Sequence, residues 1–112
     1  MDIKNAHHVQ ELSRQALEEY AEESFDIHLV AARIRRAAKG GRTSVHIPQD
    51  RPVDLSGTTA AALLILHLES LGYATSWDEV RRPENAPRYE GAREVVYCEL
   101  VVEWHTRLFA GP

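Results

Sequence analysis

Residues 94–104 read EVVYCELVVEW, and this stretch decides the fold. Successive side chains of a strand point to opposite faces, so alternate positions form two sets. The first set consists of Val96, Cys98, Leu100, Val102 and Trp104, and the second of Val95, Tyr97, Glu99, Val101 and Glu103. The first set is apolar throughout, and no other strand-like run in the chain is as long. We therefore predict that this segment is the central strand of a sheet and that its first set packs on the core.

Two amphipathic helices are predicted before the sheet. Apolar residues recur every three or four positions in residues 5–23, and again from residue 24 or 26 to residue 39. Asn5 can cap the first helix. Gly40 and Gly41 end the second, because glycine readily adopts the left-handed conformation that follows many helices. The first helix has a Glu-rich face and one apolar stripe, which needs a packing partner to be stable.

A third helix is predicted to begin near Asp54 or Ser56, either of which can cap it, and to end at Gly72. Unlike the first two helices it is apolar on nearly all sides, and it is too short to span a bilayer. These properties predict the central core helix, which is also a candidate subunit interface.

Short strands are predicted over residues 43–47 and 73–80. The β-α-β unit that joins them should cross over right-handedly, which makes these two strands parallel to each other. The long last strand then lies between them, antiparallel to both, in the order 1-3-2. The predicted fold is one α+β domain over residues 1–112, with two N-terminal helices followed by β-α-β-β and with the helices covering one face of the sheet.

The other face of this sheet is expected to be open. It would carry Tyr97 and Val101 among polar side chains, and a half-apolar open face favours self-association or a protein partner. Residues 81–93 are predicted to form a loop with two prolines and four arginines. Hairpin loops usually contain about two to five residues, so a longer loop is typically mobile or functional.

Composition limits the function classes. The chain has 112 residues, a net charge of −4, 44% hydrophobic and 27% charged residues, as expected for one globular domain. No apolar run is long enough for a membrane span, and the N-terminus lacks a signal-peptide pattern. The single cysteine excludes an internal disulfide. We therefore expect a cytoplasmic protein without a membrane partner.

The charges are unevenly distributed. Residues 1–26 carry −5, residues 27–51 carry +5 and the remainder carries −4. The basic segment places Arg33 and Arg36 on one helix face with Arg42 just beyond the helix, and the loop adds further candidates for an anion site: Arg81, Arg82, Arg88, Arg93 and Tyr89. The alternative is that the helical arginines complement the helix dipole and pair with glutamates of the first helix. Net acidity disfavours a dedicated nucleic-acid binder.

The residues give little support for catalysis. None of the six histidines has zinc-ligand spacing, and no serine lies in a GxSxG turn, so we expect no metal and no cofactor. Cys98 is expected to fill space in the core. His67 is interpreted as a packed or interface histidine, with a catalytic or pH-switching role as the alternative. A small enzyme would need a cleft that brings His46 or His67 close to a carboxylate.

Four short motifs occur in order along residues 34–104: Ala38-Lys39-Gly40, Ser44-Val45-His46-Ile47, Leu71-Gly72-Tyr73 and Glu103-Trp104. Together they resemble a pattern in small phage-encoded proteins of unknown function. The resemblance implies a similar fold and a phage-like context, which would place the protein in the host cytoplasm, but it implies no activity. The acidic first helix and the Arg-rich loop are not part of the pattern.

These observations lead to three hypotheses. The first is a non-catalytic, phage-type accessory protein that self-associates and binds a protein partner. The second is a binder of an anionic ligand, such as a nucleotide or an oligonucleotide, through the Arg-rich surface. The third is a small enzyme without a recognisable motif.

Overall fold

Three helices and a three-stranded sheet form the part of the chain that the structure, a computed structural model, describes: residues 3–83 and 94–104. The elements are α1 (Ala6–Ser24), α2 (Ile27–Lys39), β1 (Ser44–Ile47), α3 (Thr59–Ser70), β2 (Ala74–Pro83) and β3 (Glu94–Glu103). The strand order is β1-β3-β2, and β3 is antiparallel to both neighbours. The predicted α+β class and the order 1-3-2 are therefore confirmed.

The core lies between the helices and one face of the sheet. Ile47 of β1 and Trp77 of β2 are both paired with Leu100 of β3, so the three side chains share that face. The helices and Phe25, which follows α1, bury eight side chains against it: Tyr20, Ala21, Phe25, Val30, Ile34, Ala61, Leu64 and Leu68. The prediction for β3 is correct at Leu100 and Val102. It is wrong at Val96, which is exposed because the β2–β3 hairpin continues past the core.

The helix ends are set by local hydrogen bonds. Asn5 caps α1 by accepting from the backbone N–H of His8, and Asp26 caps α2 by accepting from two backbone N–H groups. The glycine stops are confirmed at Gly41 and Gly72, whose φ angles are 82° and 95°. Beyond each stop, a backbone N–H returns to the helix, from Arg42 to the carbonyl of Ala37 and from Tyr73 to that of Leu68.

Two predicted boundaries are wrong. The cap of α3 is Thr58, whose hydroxyl accepts from the N–H of Ala61, whereas Asp54 and Ser56 bond to each other in the preceding turn. β2 continues to Pro83, so Arg81 and Arg82 lie in a strand and not in the predicted loop. Pairing with β3 over the whole length of β2 outweighs the poor strand propensity of this arginine- and proline-containing segment.

The sheet face opposite the helices is not open at its centre. Tyr97, Glu99 and Val101 are 3%, 9% and 8% exposed, which corrects the expectation of an uncovered face there. The Arg82 guanidinium lies over the Tyr97 ring, 5.2 Å from its centroid, in a cation–π contact. The segment after β1 is bonded to the same region, because the N–H of Gln49 donates to Glu99 and Arg82 donates to the carbonyl of Asp50.

Helix α1 is packed along only half its length. Leu17, Tyr20 and Ala21 contact the core, whereas every residue from 3 to 16 is exposed. Within residues 3–83 and 94–104, no side chain covers the predicted apolar stripe of this helix at Val9 and Leu12, which are 48% and 53% exposed.

Candidate functional site

The main apolar surface is formed by α2 and α3. Leu63 and Leu71 are 62% and 63% exposed, and Ile27 of α2 is 45% exposed. We define the α2–α3 face as Ile27, Ala31, Leu63, His67 and Leu71, all of which are exposed. Leu66, also exposed, adjoins it on α3. Helix α3 packs on the core with one side and presents leucines to solvent on its outer side. Such exposure is typical of a helix that forms an interface.

Two cavities run along this face. One, of about 400 Å³, lies between α2 and α3 and includes Ala31, Arg35 and Leu71. The other, of about 320 Å³, lies between α1 and α3 and includes Glu22 and Leu63. Ile27 and His67 line both cavities, so the two cavities adjoin at these residues, and we refer to the pair as the mainly apolar groove of the α2–α3 face.

The two ends of the groove differ in charge. Glu18 and Glu22 line the end near the start of α3, and Arg35 lines the end near Leu71. Glu18 is bound to α3 itself, because its carboxylate accepts from the backbone N–H of Thr59 at 2.7 Å. That hydrogen bond lowers the pKa of Glu18. Among the described residues, neither Glu22 nor Arg35 has an ion-pair partner within 4.0 Å.

The predicted arginine cluster on α2 is brought together. Arg33, Arg36 and Arg42 line one groove of about 340 Å³, whose floor is formed by Ala37, Gly40 and Val45. The described residues supply no carboxylate within 4.0 Å of these three guanidinium groups. The expected pairing with glutamates of the first helix is therefore not found in this part of the chain. The groove presents three positive charges around an apolar floor.

The remaining predicted anion-binding residues do not join this groove. Arg81 pairs with Glu79 and Glu94 along the β2–β3 hairpin, at 3.4 and 3.7 Å. Arg82 is held by Tyr97 and the carbonyl of Asp50. The predictions for Arg88, Tyr89 and Arg93 lie outside the described residues.

Tyr97 and Val101, predicted as contact residues of an open face, are buried, and Tyr97 belongs to a polar cluster. Its hydroxyl donates to Glu99 at 2.8 Å. Burial, followed by the Glu99 carboxylate, raises the pKa of Tyr97 above its usual value of 10. Through Glu99, this cluster helps to hold the segment after β1 against the sheet, which explains why these polar groups are buried. Tyr97 and Val101 therefore provide no docking surface.

His46 lies between two carboxylates. Its Nε2 is 3.5 Å from Asp78 and its Nδ1 is 3.6 Å from Glu99. The small-enzyme hypothesis required such a proximity within a cleft; His46 supplies the proximity, but it lines none of the cavities described for this part of the chain. Neither contact has the geometry of a hydrogen bond, so the three side chains do not form a hydrogen-bonded catalytic arrangement. His67, the other candidate, is exposed on the α2–α3 face and is not a core residue.

Comparisons with protein families, curated proteins and solved structures find no match to this chain. Within residues 3–83 and 94–104, no group of three or more His, Cys, Asp or Glu side chains is arranged to hold a metal ion. No helix in that same part of the chain is both long and apolar enough to cross a membrane. The function has to be argued from the surfaces themselves.

Sequence reasoning identified α3 as a candidate interface but missed the contribution of α2. The helical period places Ile27 and Ala31 in one apolar stripe with Val30 and Ile34, which predicts that all four pack on the core, and it groups Arg35 with the other arginines of α2. The width of this apolar stripe was the signal in the sequence for a partly exposed face. Ile27, Ala31 and Ala38 flank Val30 and Ile34 on the helix surface. Of these five residues, Val30 and Ile34 are buried, whereas Ile27, Ala31 and Ala38 are exposed and line the groove.

Proposed function

We propose that this chain is a non-catalytic interaction protein that self-associates through the α2–α3 face. The observation that carries the proposal is the exposure of Leu63, Leu71 and Ile27 along the two adjoining, mainly apolar cavities of this groove. The occupant we infer is a second copy of the chain. The unlike charges at the two ends of the groove make the surface complementary to itself, which is a requirement of a two-fold interface. The phage-type context rests on the sequence resemblance alone.

The expected contribution of one leucine can be calculated. Complete burial of a leucine side chain contributes about 1.5–3 kcal/mol. Leu63 is 62% exposed, so covering it in the complex would contribute about 1–2 kcal/mol for each copy. A dimer contains two copies, and replacing both leucines should raise the dissociation constant by about 30-fold or more.

Light scattering after size-exclusion chromatography, from 1 to 100 µM, tests the proposal with Leu63→Ser. The wild type should be a dimer and the variant a monomer at the same concentration. Leu29→Ser is the matched control, because Leu29 is a 53% exposed leucine on α2 that lines a different cavity, with Tyr20 and Arg33. A wild type that is monomeric at 100 µM contradicts the proposal, as does equal weakening by the two variants.

A second candidate function is the binding of an oligonucleotide at the groove of Arg33, Arg36 and Arg42. The observation that favours it is that three arginines without carboxylate partners among the described residues line one groove. Fluorescence anisotropy with a labelled single-stranded 12-mer should show binding that weakens as salt rises. Arg36→Ala should reduce it, whereas Arg14→Ala should not, because Arg14 is paired with Glu11 on the distant half of α1. Binding that is insensitive to salt or to Arg36→Ala would exclude this site.

A further inference from the structure

The unlike charges at the two ends of the groove also determine the orientation in which two copies can bind. We propose that the second copy binds antiparallel, about a two-fold axis that crosses the groove near His67, and that Glu22 of each copy pairs with Arg35 of the other. This inference rests on the proposed function. It adds the orientation of the partner and the residues that select it.

The charged side chains lie at opposite ends of the groove. Glu22 lines the cavity that contains Leu63, and Arg35 lines the cavity that contains Leu71. Ile27 and His67 line both cavities and therefore lie between these ends. A two-fold axis through this midpoint exchanges the ends, which places an acidic end of one copy against a basic end of the other. In a parallel arrangement like charges would meet at both ends.

Two further features agree with the antiparallel orientation. The dipoles of the two α3 helices oppose each other when the helices are antiparallel, which is favourable for packed neighbours. Glu22 and Arg35 are both exposed and unpaired within the described part of one copy, so pairing between copies breaks no ion pair that this part of the chain makes. Glu69 is also near the end of α3, but it does not line the groove.

Charge exchange tests this geometry. Glu22→Arg alone would place two arginines at each end of the dimer, and Arg35→Glu alone would place two glutamates there. Each single variant should raise the dimer dissociation constant by roughly tenfold at low salt. The double variant E22R/R35E should recover dimerisation, since it restores an opposite pair at both ends. An equimolar mixture of the two single variants should form the heterodimer in preference to either homodimer.

Sedimentation velocity measures the dissociation constants, and native mass spectrometry distinguishes the heterodimer by mass. Arg33→Glu is the control for a charge reversal on α2 outside the groove, and it should not be rescued by Glu22→Arg. If the wild type is a dimer that Leu63→Ser disrupts but neither the double variant nor the mixture shows recovery, the antiparallel pairing is wrong and the proposed function stands. If the wild type is a monomer, the proposed function fails first.

Discussion

The hydrogen bond between Tyr97 and Glu99 orients the carboxylate that accepts from the N–H of Gln49, in the segment after β1. The hydroxyl donates to the Glu99 carboxylate at 2.8 Å in a buried position. A hydrogen bond to a charged group contributes about 1.5–3 kcal/mol. Tyr97→Phe keeps the ring under the Arg82 guanidinium and removes only the hydroxyl. We therefore expect this variant to lower the free energy of unfolding by about 1.5–3 kcal/mol.

Urea denaturation at one fixed protein concentration measures this change, because self-association would make stability concentration-dependent. Glu99→Gln and the double variant complete a mutant cycle. The two single changes should be non-additive by about 1 kcal/mol or more, since they remove the same bond. A Tyr97→Phe variant within about 0.5 kcal/mol of the wild type, or an additive cycle, would refute the interpretation of this cluster.

We also expect the stability of the folded protein to depend on pH through Tyr97. The pKa of Tyr97 is raised in the folded protein, first by burial and then by Glu99. A raised pKa contributes stability that is fully present below the ordinary value of 10 and is lost as the pH rises through the folded-state pKa. The wild type should therefore lose stability above pH 10 more steeply than Tyr97→Phe does.

Two further predictions concern the ends of α3. The pKa of Glu18 is lowered by the backbone N–H of Thr59, so its stabilising effect is present above the ordinary value of 4.5 and is lost as the pH falls through the folded-state pKa. Thermal unfolding of Glu18→Gln should then vary less between pH 3 and 6 than that of Glu19→Gln, and a parallel dependence would contradict this. Gly72 has a φ of 95° with open space at its Cβ position, so Gly72→Ala should cost about 1 kcal/mol through the backbone alone. Gly57→Ala, at a negative φ with the same open space, should be near neutral in the same urea titration, and equal costs would exclude the backbone explanation.

The sequence predicts those parts of the fold that depend on local patterns. Gly40-Gly41 and Gly72 end helices because of their own conformational freedom, and alternation in β3 identifies Leu100 and Val102 as core residues. The burial of Tyr97 depends on contacts such as the one from Gln49 to Glu99, which lie 50 positions apart. No local pattern contains that information.

The candidate site, like the fold, could be predicted only in part from the sequence. The apolar surface of α3 is visible in the sequence because every side of the helix is apolar, so part of it must remain outside the core. The role of Ile27 and Arg35 depends on the angle at which α2 packs beside α3, which a helical period does not specify. The arginine groove was predicted for Arg33, Arg36 and Arg42 because these three are close in sequence.

The uneven packing of α1 has a consequence for local unfolding. In the described part of the chain, residues 6–16 are exposed and are stabilised by local contacts, namely helical hydrogen bonds, the Asn5 cap and the Glu11–Arg14 pair, and a segment of that length is marginally stable in water without tertiary contacts. Residues 17–24 are anchored by Tyr20 and Ala21 in the core. Amide hydrogen exchange should therefore divide this single helix into a fast and a slow half, with the boundary near Leu17.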